Sequence, residues 1–222
     1  MGFILNTASS VKKYLPDSIW KFGSTLYWKV TGYKYLVAGR PFVPGETTKA
    51  RERRIREGFF EKYTLGKGLD IGFGGDPIVE GVRGWDFEHG DAQYLKGIND
   101  NYFDFVYSSH TLEHMVDAGI ALKNWYRVVK PGGYLVLSIP HRDLYEKKRN
   151  LPSRFNDNHL HFFLPYKNDP PDTIGVEELI KTTLSDFEII YLKECSENHT
   201  ITDPMKHSDG EYSIEVVIRK NQ

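Results

Sequence analysis

The sequence predicts a doubly wound α/β fold, with a mostly parallel sheet and helices on its faces. Three observations carry this reading. The apolar run Gly68-Leu69-Asp70-Ile71 ends in the glycine-dense turn Gly72-Phe73-Gly74-Gly75-Asp76, the pattern of a buried strand that breaks sharply at its carboxyl end. Residues 66–140 alternate between strand and helix signals. Residues 134–139 form a nearly continuous apolar run directly after Pro131-Gly132-Gly133, suited to a strand buried on both faces. In open sheets of this kind ligands bind beyond the carboxyl ends of the strands, so the glycine turn is the candidate ligand site.

At 222 residues with a formal net charge of -1, the chain suits one substantial α/β core and offers no basic surface that calls for nucleic acid. Its single cysteine, Cys195, excludes an intrachain disulfide and fits a reducing, cytoplasmic compartment. No stretch approaches the ~18 uninterrupted apolar residues of a membrane span.

Residues 1–43 read as an arm. Tyr14, Trp20, Phe22, Tyr27, Trp28, Tyr33 and Tyr35 are interleaved with Lys12, Lys13, Lys21, Lys29 and Lys34. Rings packed on a domain with lysines reaching outward give this pattern, and so does peripheral contact with a membrane surface. Pro41 and Pro44-Gly45 end the arm, and residues 44–222 form the main domain. Residues 46–63 then read as one helix, capped by Thr47 or Thr48, with Ile55, Phe59 and Tyr63 on its inner face. Glu52 can pair with Arg56, and Arg51, Arg53, Arg54 and Arg56 read as a solvated face. An alternative gives one of these arginines the carboxylate of a ligand.

After the glycine turn, residues 81–86 read as a short strand ending in Asp86. An acid at that tip can accept hydrogen bonds from both hydroxyls of a ribose, usually ~20 residues past the glycines. Here Asp70 and Asp86 are sixteen apart, so the intervening helix shrinks to about a turn around Asp76-Pro77. Phe87 could lie against a base, and Asp91 could accept from an exocyclic amino group. Residues 103–108 form the next strand, running into Ser109-His110-Thr111-Leu112-Glu113-His114. Asp117 can cap a helix in which Ala118, Ala121, Leu122, Trp125, Val128 and Val129 keep helical period.

These residues carry a resemblance. Leu69-Asp70-Ile71-Gly72-Phe73-Gly74-Gly75 resembles the first motif of the S-adenosylmethionine-dependent methyltransferases with the Rossmann-like fold. Phe103-Asp104-Phe105-Val106, Leu112-Glu113-His114 and the run from Trp125 through Lys130-Pro131-Gly132-Gly133-Tyr134 resemble its later motifs. The resemblance implies S-adenosylmethionine as cofactor. It also implies that Asp70, Gly72, Gly74 and Gly75 shape the pocket for its amino-acid part. Asp86, or Glu88 in its place, would hold the ribose. Asp91 and Ala92 would meet the adenine, and Ser108 and Ser109 would line the pocket. The stretch between Asp86 and Asp91 is too short for the usual helix and strand, so the third strand of the family is expected to be missing or vestigial.

Residues 141–172 follow without clear periodicity but with Tyr145, Phe155, Phe162, Phe163 and Tyr166, and are expected to cover a bound acceptor. Thr173 can cap a helix with Val176, Leu179, Ile180 and Leu184 inward. Residues 187–192 and 212–218 read as strands, which the resemblance places in a C-terminal antiparallel hairpin. Leu151-Pro152-Ser153-Arg154-Phe155-Asn156-Asp157-Asn158-His159 further resembles a methyltransferase subgroup linked to surface-polysaccharide synthesis. It implies O-methylation of a sugar hydroxyl, with a small-molecule O- or N-acceptor or a silent binding domain as alternatives. A hydroxyl needs a base, and His110 is the first candidate, followed by His159 and His141. No tightly bound metal is expected, because no histidine pair has the close spacing of a zinc motif.

Overall fold

A computed structural model describes residues 44–222, together with the backbone of residues 36–37 and 40–41. The chain divides into two compact units, Met1–Val43 and Pro44–Gln222. In the first, Leu36–Val37 pairs antiparallel with Arg40–Pro41. The aromatic and lysine pattern of the arm lies outside the described residues.

The second unit is built on a six-stranded sheet. Its strands are β1 (Gly68–Ile71), β2 (Arg83–Trp85), β3 (Phe103–Ser109) and β4 (Val129–Pro140). A separate parallel pair follows, β5 (Phe162–Leu164) and β6 (Thr173–Gly175). The chain then returns to the main sheet with β7 (Phe187–Cys195) and β8 (Ser213–Lys220). The order is β2-β1-β3-β4-β8-β7, with the first four parallel and β8 antiparallel to both β4 and β7. This is the expected mostly parallel sheet closed by an antiparallel hairpin. Among the described residues no strand lies outside β2, so the third strand of the family is absent there.

Alternation along the central strands sorts the core into two layers. Leu69, Val106, Leu135 and Leu137 face one side, where they meet Leu122 and Trp125 of α4 (Ala118–Arg127) and Val176 and Ile180 of α5 (Val176–Thr183). Phe105, Tyr107, Val136 and Val217 face the other, against Phe59 and Ile78. Helix α4 starts where Asp117 accepts from the Ile120 amide at 2.8 Å, as its sequence predicts. Strand order reverses between β2 and β3 on either side of β1, which puts a topological switch point at the tips of β1 and β3.

Residues 46–63 are not one helix. They form α1 (Glu46–Lys49), α2 (Arg51–Arg56) and α3 (Phe59–Tyr63), and Gly58 breaks the path with φ +61. The break rotates the faces, so Phe59 is buried while Ile55 is 58% exposed. The arginine face is corrected too. Arg53 and Arg54 are buried, because Glu215 of β8 and Glu211 just before that strand bring carboxylates beneath them. Arg53 pairs with Glu211 at 2.8 Å and with Glu215 at 3.0 Å, and Arg54 donates to Glu215 at 2.7 Å and to the Tyr107 hydroxyl at 2.9 Å. Arg56 pairs with Glu197 rather than with Glu52. Removing one partner of such a buried pair typically costs 3–5 kcal/mol, about the scale at which a small domain loses its fold.

Neither Thr47 nor Thr48 caps α1. The cap comes from Asp76 in the glycine turn, whose Oδ2 accepts from the Gly45 and Thr48 amides at 2.8 Å each. No helix forms around Asp76-Pro77; the link between β1 and β2 is irregular among the described residues. Thr173 lies in β6, and α5 begins after Gly175 without a side-chain cap. Its inner face is nevertheless as expected, with Val176, Ile180 and Leu184 buried.

Candidate functional site

The tips of β1, β2 and β3 meet around the glycine turn. Gly72 donates its amide to Trp85 O at 2.8 Å, and Asp76 donates to Phe73 O at 2.7 Å. Gly72, Gly74 and Gly75 all have positive φ, at 72°, 55° and 96°. Their uses differ. A Cβ on Gly72 would lie 2.0 Å from Thr111 Oγ1, so the chain's own packing requires that glycine. A Cβ on Gly74 would have nothing nearer than Gly72 O at 3.9 Å. The Cβ side of Gly74 is therefore open to a ligand, whereas that of Gly72 is taken up by Thr111.

Asp70 is buried. Its Oδ2 accepts from the Ile78 amide at 2.8 Å, and its Oδ1 has no hydrogen-bond partner among the described residues. Burial holds its carboxyl well above the usual range. Asp86 follows β2 and caps a single turn, Phe87–His89, by accepting from the Phe87 amide at 2.9 Å. Phe87 is 97% exposed on that turn, a free ring face beside the acid. Asp91 closes a turn by accepting from the Gln93 amide at 2.8 Å, and Ala92 O accepts from Trp125 Nε1 at 2.8 Å. Ser108 donates to Ile71 O at 3.2 Å and is buried, as is Ser109. These residues share one edge, as the sequence predicts, but several of them act by shaping backbone.

A second wall stands at the tip of β3. His110 has φ +48, a conformation that turns its side chain away from the strand direction. Its Nε2 lies 2.8 Å from Ser213 Oγ and 3.8 Å from Glu46 Oε2. No hydrogen bond reaches its Nδ1 among the described residues. Tyr145 and Tyr212 pack edge-on against the ring, with centroids 6.3 and 5.7 Å away. Tyr212 donates to Glu46 Oε1 at 2.7 Å, and Lys49 reaches the same carboxylate at 2.8 Å. Burial pushes the His110 imidazole down to about 4, against the opposing pull of Glu46. The ring is thus neutral at physiological pH. The sequence did not mark Glu46, Tyr212 or Ser213, since they come from α1 and β8, far from any motif.

The two other candidate histidines are held differently. His141 is buried beside a helical turn, Arg142–Glu146. Its Nδ1 accepts from the Asp143 amide at 3.2 Å, and its Nε2 lies 3.2 Å from Glu194 Oε2. With both nitrogens engaged, it braces the turn rather than presenting a free base. His159 is fixed by Glu146, whose Oε1 accepts from His159 Nδ1 at 2.6 Å. Tyr145 stacks on it at 5.3 Å, and so stands between His159 and His110. The segment 141–172 contributes Tyr145 and His159 beside this wall and holds β5, which pairs with β6 just beyond it.

Known proteins share this fold and part of this sequence. Residues 69–137 match the family described as a methyltransferase domain. A curated relative, the ubiquinone/menaquinone biosynthesis C-methyltransferase UbiE of Cellvibrio japonicus, is 38% identical over 82 residues, covering 35% of this chain and 32% of that protein. The chain thus spans about a third of that relative's length. A solved structure concerned with conversion of a disulfide bond into a thioacetal group during echinomycin biosynthesis superposes with a TM-score of 0.53 at 14% identity, over 78% of this chain and 82% of that one. At that identity the likeness is one of fold. A SAM-dependent methyltransferase of Archaeoglobus fulgidus gives 0.45 at 18% identity, over 79% and 94%. The likeness to a methyltransferase domain thus lies in residues 69–137, the part of the chain that carries β1 to β4.

Proposed function

We propose that the protein methylates a sugar hydroxyl of a glycan or sugar precursor in the cytoplasm, using S-adenosylmethionine. The observation that supports this best is one sheet edge carrying both a glycine turn with room at Gly74 and a neutral imidazole at His110. The turn would hold the amino-acid part of the cofactor, with the unpartnered Asp70 Oδ1 beneath it. Asp86 would hold the ribose, and Phe87 would offer its exposed face to the base. When bound, the cofactor supplies an electrophilic methyl group on a sulfonium.

The chain's own task is to align the acceptor and take its proton. Donation from His110 Nε2 to Ser213 Oγ leaves the lone pair on Nδ1, the nitrogen without a partner. Nδ1 then accepts the hydroxyl proton, and Glu46 at 3.8 Å stabilises the imidazolium that results. Phe155, half-buried against Tyr145, gives the wall an aromatic face, which suits the C–H face of a sugar ring. The arm, residues 1–43, is proposed to pack on protein, with peripheral membrane contact as the alternative that liposome flotation of intact and truncated chains distinguishes.

The test is methyl transfer from labelled S-adenosylmethionine to nucleotide sugars and oligosaccharides, run beside catechols and amines. Transfer to the sugars alone is expected. Transfer to catechols or amines would make it a small-molecule enzyme. Binding of S-adenosylhomocysteine with no turnover on any acceptor would make it a silent binding domain.

A further inference from the structure

Next to the His110 wall, across Tyr145, lies a group of side chains that the proposed methyl transfer does not use. Glu113 is fully buried, and neither of its carboxylate oxygens has a hydrogen-bond partner among the described residues. Its Oε1 lies 3.7 Å from His114 Nε2 and 3.7 Å from His159 Nε2. Ligand atoms of all three residues lie within 4.8 Å of one another.

The outer nitrogens fix the state of both rings. His114 Nδ1 lies 3.0 Å from the Asn158 carbonyl, which can only accept, so that nitrogen carries the proton. His159 Nδ1 donates to Glu146 at 2.6 Å, and Glu146 is itself held by Ser153 Oγ at 2.7 Å. Both neutral rings therefore turn a bare Nε2 toward Glu113. Imidazole ligands of metals are oriented in this way, with the remote N–H given to a carbonyl or carboxylate.

The spacing separates a cation from a proton. Hydrogen bonds to nitrogen close at about 2.7–3.2 Å, so 3.7 Å leaves Glu113 unable to satisfy either ring by sharing a proton. Two donors each about 2.1 Å from a tetrahedral ion stand roughly 3.4 Å apart, close to the observed separation. His114 is 29% exposed, which leaves the cluster a path to solvent.

We propose that Glu113, His114 and His159 bind a divalent first-row transition-metal ion, with Glu146 and Asn158 orienting the two imidazoles. Two imidazoles and one carboxylate suit zinc, iron, cobalt or manganese and leave coordination positions open. The expectation of no bound metal rested on the absence of paired histidine spacing. Here the ligands are two adjacent residues and a third 45 positions later, brought together by the 141–172 segment. The proposal concerns ion binding and stands whatever the acceptor is.

The test uses the full chain, stripped with chelator and titrated with Co²⁺ alone, reading the visible d–d absorption. One equivalent is expected to bind and to be displaced by Zn²⁺. Glu113→Gln should weaken binding by about 100-fold or more, and Glu146→Gln by about 10–100-fold. His114→Asn, at the solvent side of the cluster and safest for folding, should also lose the band. His199→Asn, outside the cluster, should keep it. Absence of stoichiometric Co²⁺ uptake by the wild-type chain would overturn the proposal, as would an unchanged band in both Glu113→Gln and His114→Asn.

Discussion

The turn at residues 72–76 is tied by backbone hydrogen bonds within itself and to Trp85 of the neighbouring strand, whereas the wall around His110 is assembled from side chains on α1, the end of β3, the 142–146 turn and the start of β8. In the turn, Asp76 and Phe73 bond three residues apart. In the wall, Tyr212 and Glu46 bond across 166 positions. The difference teaches where substitutions act. On the proposed function, the turn would set whether a ligand fits, and the wall would set what happens to a proton once it does.

The largest expected effect tests the wall. His110→Ala should lower turnover by roughly 10²–10⁴-fold while leaving S-adenosylhomocysteine affinity nearly unchanged, as read by kinetics and calorimetry on one preparation. A parallel collapse of binding and turnover would erase the contrast, because His110 would then shape the cofactor pocket.

The turn itself contains a sharper contrast. Gly72→Val should cost stability, because its Cβ meets Thr111 and its φ is left-handed; overpacking and strain together amount to about 2–5 kcal/mol. Gly74→Val should instead lose S-adenosylhomocysteine binding with a smaller loss of melting temperature. If both variants melt alike and bind alike, the two glycines have one role rather than two.

Asp86→Ala comes next. It should weaken S-adenosylhomocysteine by about 1.5–3 kcal/mol through lost ribose hydrogen bonds, with no change in the pH profile of turnover. Wild-type affinity by calorimetry would return the ribose to Glu88.

The smallest effect is a displacement. With the His110 imidazole held near about 4, kcat/KM should stay level as pH falls through 6.5 and decline only toward 4. Stability should move with the same sign. The unfolded chain takes that proton near ~6.5 and the folded one near 4, so His110 contributes fully above 6.5 and its contribution is lost as pH falls toward 4. A limb at 6.5 in the rate profile would mean that the acting base is a histidine other than this one.

The same contrast decides what the sequence could show. The strands, α4 and its Asp117 cap, and the glycine turn depend on contiguous residues, and each follows from period and turn chemistry. The arginines of α2 could not be read correctly, because the carboxylates that bury Arg53 and Arg54 lie about 160 residues away at Glu211 and Glu215. Residues 46–63 carried a single helical period, and Gly58 alone signalled the break that left Ile55 exposed. Among the histidines, His110 does follow β3 directly, as its position in the sequence implies. His141 has both nitrogens engaged, by the Asp143 amide and Glu194, whereas His159 gives only its Nδ1 to Glu146 and turns its Nε2 toward Glu113.

Asp76 has a consequence for how the protein assembles. Helix α1 is four residues long, against the ~12–15 residues at which an isolated helix is marginal in water. Its cap comes from 28 to 31 positions further along the chain. No side chain within α1 caps it, so α1 is expected to form together with β1 and the glycine turn, and with them to bring Glu46 to His110. The amide protons of Gly45 and Thr48 should accordingly exchange with solvent at the rate at which the turn opens, in one cooperative unit with it.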